Sequence, residues 1–287
     1  MDGIILINKE KGISSFGVVS KVRKIFNIKK VGHCGTLDPE AMGVLPIMIG
    51  QATKISKYLV EHDKEYIATL KLGIKTDSAD GEGNIVEESN FKLDKNREDF
   101  YISKMNELLG KSEQIPPMYS AIKVNGKKLY EYAREGKEIV REARKIEIYD
   151  IQVIEFNYED NEIRFKAQCS KGTYIRTLCE SIAEKIGTIG YMKDLIRTKL
   201  DNFSIDQSIL ISELEKSNDK SKYIISIERL FEKCLEIKLN DRKKELFLNG
   251  VNLTYNMEDG LYRIYNNEQF LGLGIVKKKL LKRDVVI

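Results

Sequence analysis

Asp2 to Asn8 encloses four consecutive apolar residues, Ile4-Ile5-Leu6-Ile7, the pattern of a strand buried on both faces. Ser14 or Ser15 is placed to cap a following helix whose apolar stripe is Val18, Val22, Ile25 and Phe26. Ala52, Ile55 and Leu59 give a short amphipathic helix with Lys54 and Lys57 turned outward. From 65 to 73, Tyr66, Ala68, Leu70 and Leu72 alternate onto one face, as in a strand. Helical spacing returns at Phe100, Met105, Leu108 and Leu109. Tyr119 to Val124 reads as a strand, Asn125-Gly126 as a two-residue hairpin turn and Leu129 to Arg134 as a helix. Two more strands are expected over 146–154 and 162–169, the second burying Ile163, Phe165, Ala167 and Cys169. It runs into a helix with Ile175, Leu178, Ile182 and Ile186 inward, which Gly187 can end. The polar stretch 212–222 is the best candidate linker. Beyond it, short strands at LEIKL, GVNLTY, LYRIY and QFLGLGIV, with a turn at Asn266-Asn267, predict a small β-rich unit.

Composition adds bounds. With 287 residues, 42% of them hydrophobic, the chain can bury a large core and carry a second small unit. The start, MDGIILINKEKG, turns polar too soon for a signal peptide or a membrane span, so a soluble, cytoplasmic protein with no membrane partner is expected. Cys34, Cys169, Cys179 and Cys234 form no C-x-x-C pair, and with two histidines no usual zinc spacing can be assembled. Reduced thiols, no metal and no cofactor are the expectation. The net charge is only +4, but residues 1–60 hold nine Lys or Arg against four acids. Lys277, Lys278, Lys279, Lys282 and Arg283 form a second basic run. Two separated basic patches suit a polyanion that spans the molecule, such as folded RNA; a solvated face with a soluble tail is the alternative.

Candidate chemistry centres on GHCGTLDPEAMGVLPIMIG, Gly32 to Gly50, with four of the twenty glycines and two of the four prolines. This is the composition of a shaped loop around one carboxylate, Asp38, which Pro39 biases toward extended backbone. Held among Leu37, Val44 and Leu45, that carboxylate would be paired with a cation or poised for reaction, whereas a turn with a capping aspartate is the plainer reading. Tyr66 at a strand mouth is a core aromatic or a cleft residue. Arg176 is either one half of an exposed i,i+4 pair with Glu180 or a cation reaching into a cleft from a strand-to-helix turn. TDSADGEGN has some calcium-loop offsets but too few acids at them, and a hairpin or surface loop is expected.

Read together, four segments resemble one family, the bacterial tRNA pseudouridine synthases of the TruB type. They are GHCGTLDPEAMGVLPIMIGQATK, KEYIATLKLGIKTDSADGEG, QIPPMYSAIKVNGKKLYEYAR and CSKGTYIRTL, which match in order and spacing its nucleophile, tyrosine, proline-tyrosine and arginine segments. Two departures stand out: Lys9-Glu10-Lys11-Gly12 lacks a usual proline, and Arg197 to Phe203 lacks a usual Gly-Pro. The resemblance implies an α+β pseudouridine-synthase fold, a mixed and mainly antiparallel sheet with flanking helices, over residues 1–229. A small β-rich, PUA-like RNA-binding domain would occupy 230–287. It implies Asp38 as nucleophile, Arg176 as its partner and Tyr66 as the active-site tyrosine. His33 would fill the space left by a flipped base, Lys9 would hold phosphate, Tyr119 would contact substrate, and Leu45 and Leu195 would be apolar walls. The expected partner is the T arm of tRNA, bound by a monomer, with isomerisation at uridine 55 in tRNA numbering. A non-catalytic tRNA-folding factor is the alternative. A nucleotidyltransferase would need a second histidine where Thr36 stands.

Overall fold

The computed structural model describes residues 2–60 and 62–287. A nine-stranded sheet forms its body. The strands are β1 (Gly3–Lys9), β2 (Val31–His33), β3 (Met42–Ile49), β4 (Lys64–Leu72), β5 (Gly110–Gln114), β6 (Arg144–Asn157), β7 (Glu162–Cys169), β8 (Gly190–Leu200) and β9 (Phe203–Ser204). Their order is β1-β3-β8-β4-β7-β6-β5, with β2 beside β3 and β9 beside β8. All pairs are antiparallel except β3 with β8, so the sheet is mixed and mainly antiparallel, as expected.

Alternation along β1 divides its side chains between two cores. Ile5 and Ile7 join a cluster with Val18, Val19 and Val22 of helix α1 (Ser15–Phe26). Tyr101 and Met105 of α2 (Glu98–Asn106) join the same cluster, as do Leu178 and Ile182 of the helix at Ile175–Ile186. Ile4 and Leu6 face the other way, toward Ala52, Ile55, Leu273 and Val285. Between those helices in sequence lies α3 (Leu129–Arg134), and the helix at Ile175–Ile186 is α4. Ser14 caps α1 by accepting from the Gly17 amide, and Gly187, at φ 93°, ends α4.

Four expectations need correction. Gly32 to Gly50 is not loop throughout: Met42–Ile49 is a strand with seven buried residues, and the irregular part shrinks to 34–41. The strand expected over Tyr119–Val124 is reduced to Lys123–Val124, because the Ser120 and Ile122 carbonyls accept from the α3 amides of Tyr130 and Leu129 instead of from a sheet neighbour. The supposed linker begins as a helix, Ile211–Lys216, pinned by the fully buried Leu214. The terminal basic run is a hairpin tip followed by a strand. Sequence reasoning also passed over β8, which lies between β3 and β4. Its buried residues Met192, Leu195, Arg197 and Leu200 lose a strict period of two at two bulges, near Lys193 and Thr198.

The C-terminal sheet contains β10 (Glu236–Lys238), β11 (Leu253–Thr254), β12 (Gly260–Asn266), β13 (Gln269–Lys277) and β14 (Leu280–Val286), in the order β10-β12-β13-β14-β11. Helix α5 (Asp241–Leu248) buries Phe247 against it. Lys54 and Lys57 do point outward, but into this unit: the Lys54 Nζ donates to the Val286 carbonyl at 2.6 Å, and Lys57 and the Tyr58 hydroxyl both meet Asp284.

Candidate active site

The loop 34–41 has little regular structure of its own, and side chains from three other elements fix it. The Ser15 hydroxyl donates to the Leu37 carbonyl and accepts from the Leu37 amide, both at 2.9 Å, tying the first turn of α1 to the residue before Asp38. Arg197 reaches over from β8, donating from Nε to the Val44 carbonyl at 2.9 Å and from Nη2 to the Gly35 carbonyl at 3.0 Å. The backbones meet at Gly43, φ 106°, where a Cβ would lie 2.2 Å from the Arg197 carbonyl oxygen, so only glycine fits.

Lys9 is the third clamp. Its ammonium donates to the carbonyls of Glu10 (3.0 Å), Ile13 (2.7 Å) and Pro39 (2.7 Å), which uses all three of its protons. Burial pushes its pKa down to about 8, against the pull of Glu40 and Asp38, which still leaves it charged at neutral pH. The expectation that Lys9 holds phosphate is therefore corrected: a buried ammonium with all three protons engaged has no N–H left to donate to a phosphate.

Arg176 enters from the first turn of α4. Gln114 at the end of β5 bonds both the amide and the carbonyl of Tyr174, at 2.8 and 3.1 Å, and so fixes where that helix starts. The guanidinium is buried and lies 3.2 Å from the Asp38 carboxylate and 3.2 Å from that of Asp80. It also donates to the carbonyls of Tyr119 at 2.6 Å and Ser78 at 3.3 Å. The exposed pairing with Glu180 is not what forms.

Asp80 was missed in the sequence, where its loop was read as surface. Ala79, at φ 59°, takes the left-handed conformation that a residue with a Cβ rarely adopts. Thr76 then bonds the Asp80 carbonyl at 2.7 Å and Ser78 its carboxylate, so the strained turn holds Asp80 against Arg176. One of three acids in a polar, glycine-containing loop, Asp80 gave no sign of this in the sequence.

Asp38 sits where two cavities meet. One, of about 770 Å³, is lined by Tyr66, Lys64, Arg144, Met192, Leu195 and Arg197 among others. The second, of about 660 Å³, has Phe16, His33, Tyr119, Tyr130 and Asp80 in its walls. Asp38 and Arg176 belong to both. The Asp38 side chain is 41% exposed, yet the cleft walls crowd it. Desolvation raises its pKa; Arg176 and Lys9 oppose the rise and Asp80 adds to it.

Tyr66, almost wholly buried on β4, has its pKa pushed up to about 12 by burial, although the positive charge of Arg197 works the other way. It is a neutral phenol at pH 7. His33 has its pKa lowered by burial and then by Arg197, and its Nδ1 has no partner among the described residues. Leu195 lines the first cavity as expected. Leu45 does not: it is fully buried within the core cluster, and Leu37, Met192 and Ile175 stand on the apolar side of the cleft. Arg197, fully buried, was also missed as a site residue, because a charged residue in an irregular strand resembles a surface position.

Residues 23–175 match the family described as TruB family pseudouridylate synthase (N terminal domain). The chain belongs to that family. A relative named tRNA pseudouridine synthase B, from Clostridium kluyveri, is 44% identical over 96% of each chain. Another of the same name, from Francisella tularensis, is 40% identical over 100% of this chain and 97% of its own. Among solved structures, a chain of a Cbf5-Nop10-Gar1 complex is 25% identical with a TM-score of 0.68, covering 99% of this chain and 83% of that one. A chain of an H/ACA RNP bound to a substrate RNA containing 2'-deoxyuridine shares the fold, with a TM-score of 0.70 at 24% identity and the same coverage. Membership in an isomerase family agrees with a cleft built from a carboxylate, a cation and a tyrosine. Among the described residues no cluster of three or more His, Cys, Asp or Glu could hold a metal, and no helix is long and apolar enough to cross a membrane.

Proposed function

We propose that this protein isomerises uridine to pseudouridine in tRNA, at uridine 55 of the T loop, with Asp38 as the nucleophile on a base turned out of the stack. The relatives' names support the reaction and the substrate class. The observation that carries the mechanism is the Asp38 carboxylate held 3.2 Å from the buried Arg176 at the junction of two cavities, with Tyr66 in the wall of one.

The reaction neither gains nor loses atoms or electrons. Asp38 adds to C6 of the uracil or to C1′ of the ribose, the N1–C1′ bond breaks, the base turns, C1′ rejoins at C5, and the bond to Asp38 breaks to return the free carboxylate. The hydrogen on C5 leaves as a proton while N1 takes one up. Tyr66, a neutral phenol, stacks on the base and takes part in proton transfer with Arg197 beside its oxygen to stabilise developing charge. His33, uncharged and with a free ring nitrogen, occupies the space of the extruded base. Tyr119 contributes its carbonyl to the orientation of Arg176 and part of the second cavity wall. The C-terminal sheet supplies a PUA-like RNA contact through the exposed hairpin tip at Lys277, Lys278 and Lys279.

The test is tritium release from a tRNA transcript labelled at uracil C5. Wild type should release label and form pseudouridine at one T-loop position, and Asp38→Ala should release none. Release by Asp38→Ala, or none by wild type, defeats the proposal.

A further inference from the structure

Phe16 is the one exposed large-ring phenylalanine among the described residues, 61% accessible in the first turn of α1. Its backbone is not loose. Ser14 caps this turn, and the paired bonds between Ser15 and Leu37 couple the turn directly to the loop bearing Asp38. The Arg23 guanidinium lies 5.6 Å from the Phe16 ring centroid and is itself anchored by a 3.1 Å bond to the Val31 carbonyl. The ring lines the same cavity as His33, Asp38 and Arg176. Asp77, Asp80 and Glu82 line that cavity together with Lys128, Arg134 and Arg176, so its charge is mixed and the exposed ring is the surface there suited to the face of a neutral base.

We infer that Phe16 is a stacking platform for a nucleobase flanking the target uridine, a substrate-positioning contact that rests on the pseudouridine-synthase reading above. An aromatic ring gains by covering its exposed face with a base, and every base offers one, so the contact fixes the position of the flanking nucleotide with little regard to its identity. Because Phe16 is tied to the Asp38 loop through Ser15, the stacked base sets the register of the strand on the nucleophile.

The experiment measures Kd and turnover of Phe16→Ala, Phe16→Leu and Phe16→Tyr on a stem-loop RNA. The RNA carries either all its bases or an abasic site on one or the other side of the target uridine. Phe16→Ala and Phe16→Leu should weaken binding roughly 5- to 150-fold, with the loss in KM rather than kcat, while Phe16→Tyr stays within about threefold of wild type. At one abasic position, wild type should fall to the level of Phe16→Ala, with no further loss on combining the two changes. Unchanged Kd in Phe16→Ala, full rescue by leucine, or additive losses at both abasic positions would overturn the inference. Since the coupling is read from binding, a wild type that shows it but makes no pseudouridine defeats the proposed reaction and leaves the stacking contact standing.

Discussion

Arg176 shares its guanidinium between two carboxylates and two carbonyls, so Asp38 receives only part of one cation. That is why desolvation prevails and the Asp38 pKa lies above its usual range. The folded state therefore keeps this proton in a window where the unfolded chain has lost it, and stability falls as pH rises through that window. Asp38→Asn should lose activity by about 10⁴-fold or more while its thermal midpoint at pH 7 is equal to or above that of wild type. Arg176 keeps Asp80 in that variant. Arg176→Gln should instead leave two carboxylates without their cation, at a cost of about 3–5 kcal/mol, and move the acid limb of the pH–rate profile to higher pH. Calorimetry and a pH–rate series check both; an acid limb that does not move would separate Arg176 from the ionisation of Asp38. Among these residues, the pairing of Asp38 with Arg176 was legible through the resemblance of their two motifs to one family, whereas local pattern alone favoured a turn aspartate and pointed to a cleft arginine only weakly. Asp80 and Arg197 were not, since an acid in a glycine-rich loop and an arginine in an uneven strand have the same pattern at a surface.

The element that matters most is the loop 34–41, which borrows its rigidity from β1, α1 and β8 through Lys9, Ser15 and Arg197. Lys9→Met should strand buried carbonyls and cost about 1–3 kcal/mol, with a fall in turnover as the loop loosens. It should leave the slope of log K against log salt for RNA binding unaltered, because that slope counts phosphate contacts. A slope reduced by about one unit would restore Lys9 to the phosphate-binding role first expected of it. Strands with clean alternation, β4 and β7, were readable residue by residue. β8 was not, because each bulge moves the following side chains to the opposite face and breaks the repeat that identifies a strand.

At the scale of the molecule, the C-terminal unit is joined to the large sheet by an apolar seam. Leu273 and Val285 share a cluster with Ile4, Leu6, Val44 and Phe231, and Asp284 anchors Lys57 and Tyr58. A chain ending at residue 229 should therefore suffer more than weaker RNA binding. Exposing that seam should lower the thermal midpoint by about 10 °C or more, or render the protein insoluble. An unchanged midpoint with reduced tRNA affinity would mark the unit as a freely attached module.

By itself the sequence determined the residue types that chemistry demands, the periodic elements and the family, since these depend on local pattern and on motifs read in order. Tertiary structure alone decided which groups share the cleft. It turned Lys9 from a phosphate contact into a clamp, withdrew Leu45 into the core and brought in Asp80 and Arg197, both from segments that follow Asp38 far along the chain. The reason is physical: whether a charge serves binding, catalysis or packing depends on which acceptors surround it, and those acceptors come from strands that are distant in the chain and adjacent only in the sheet.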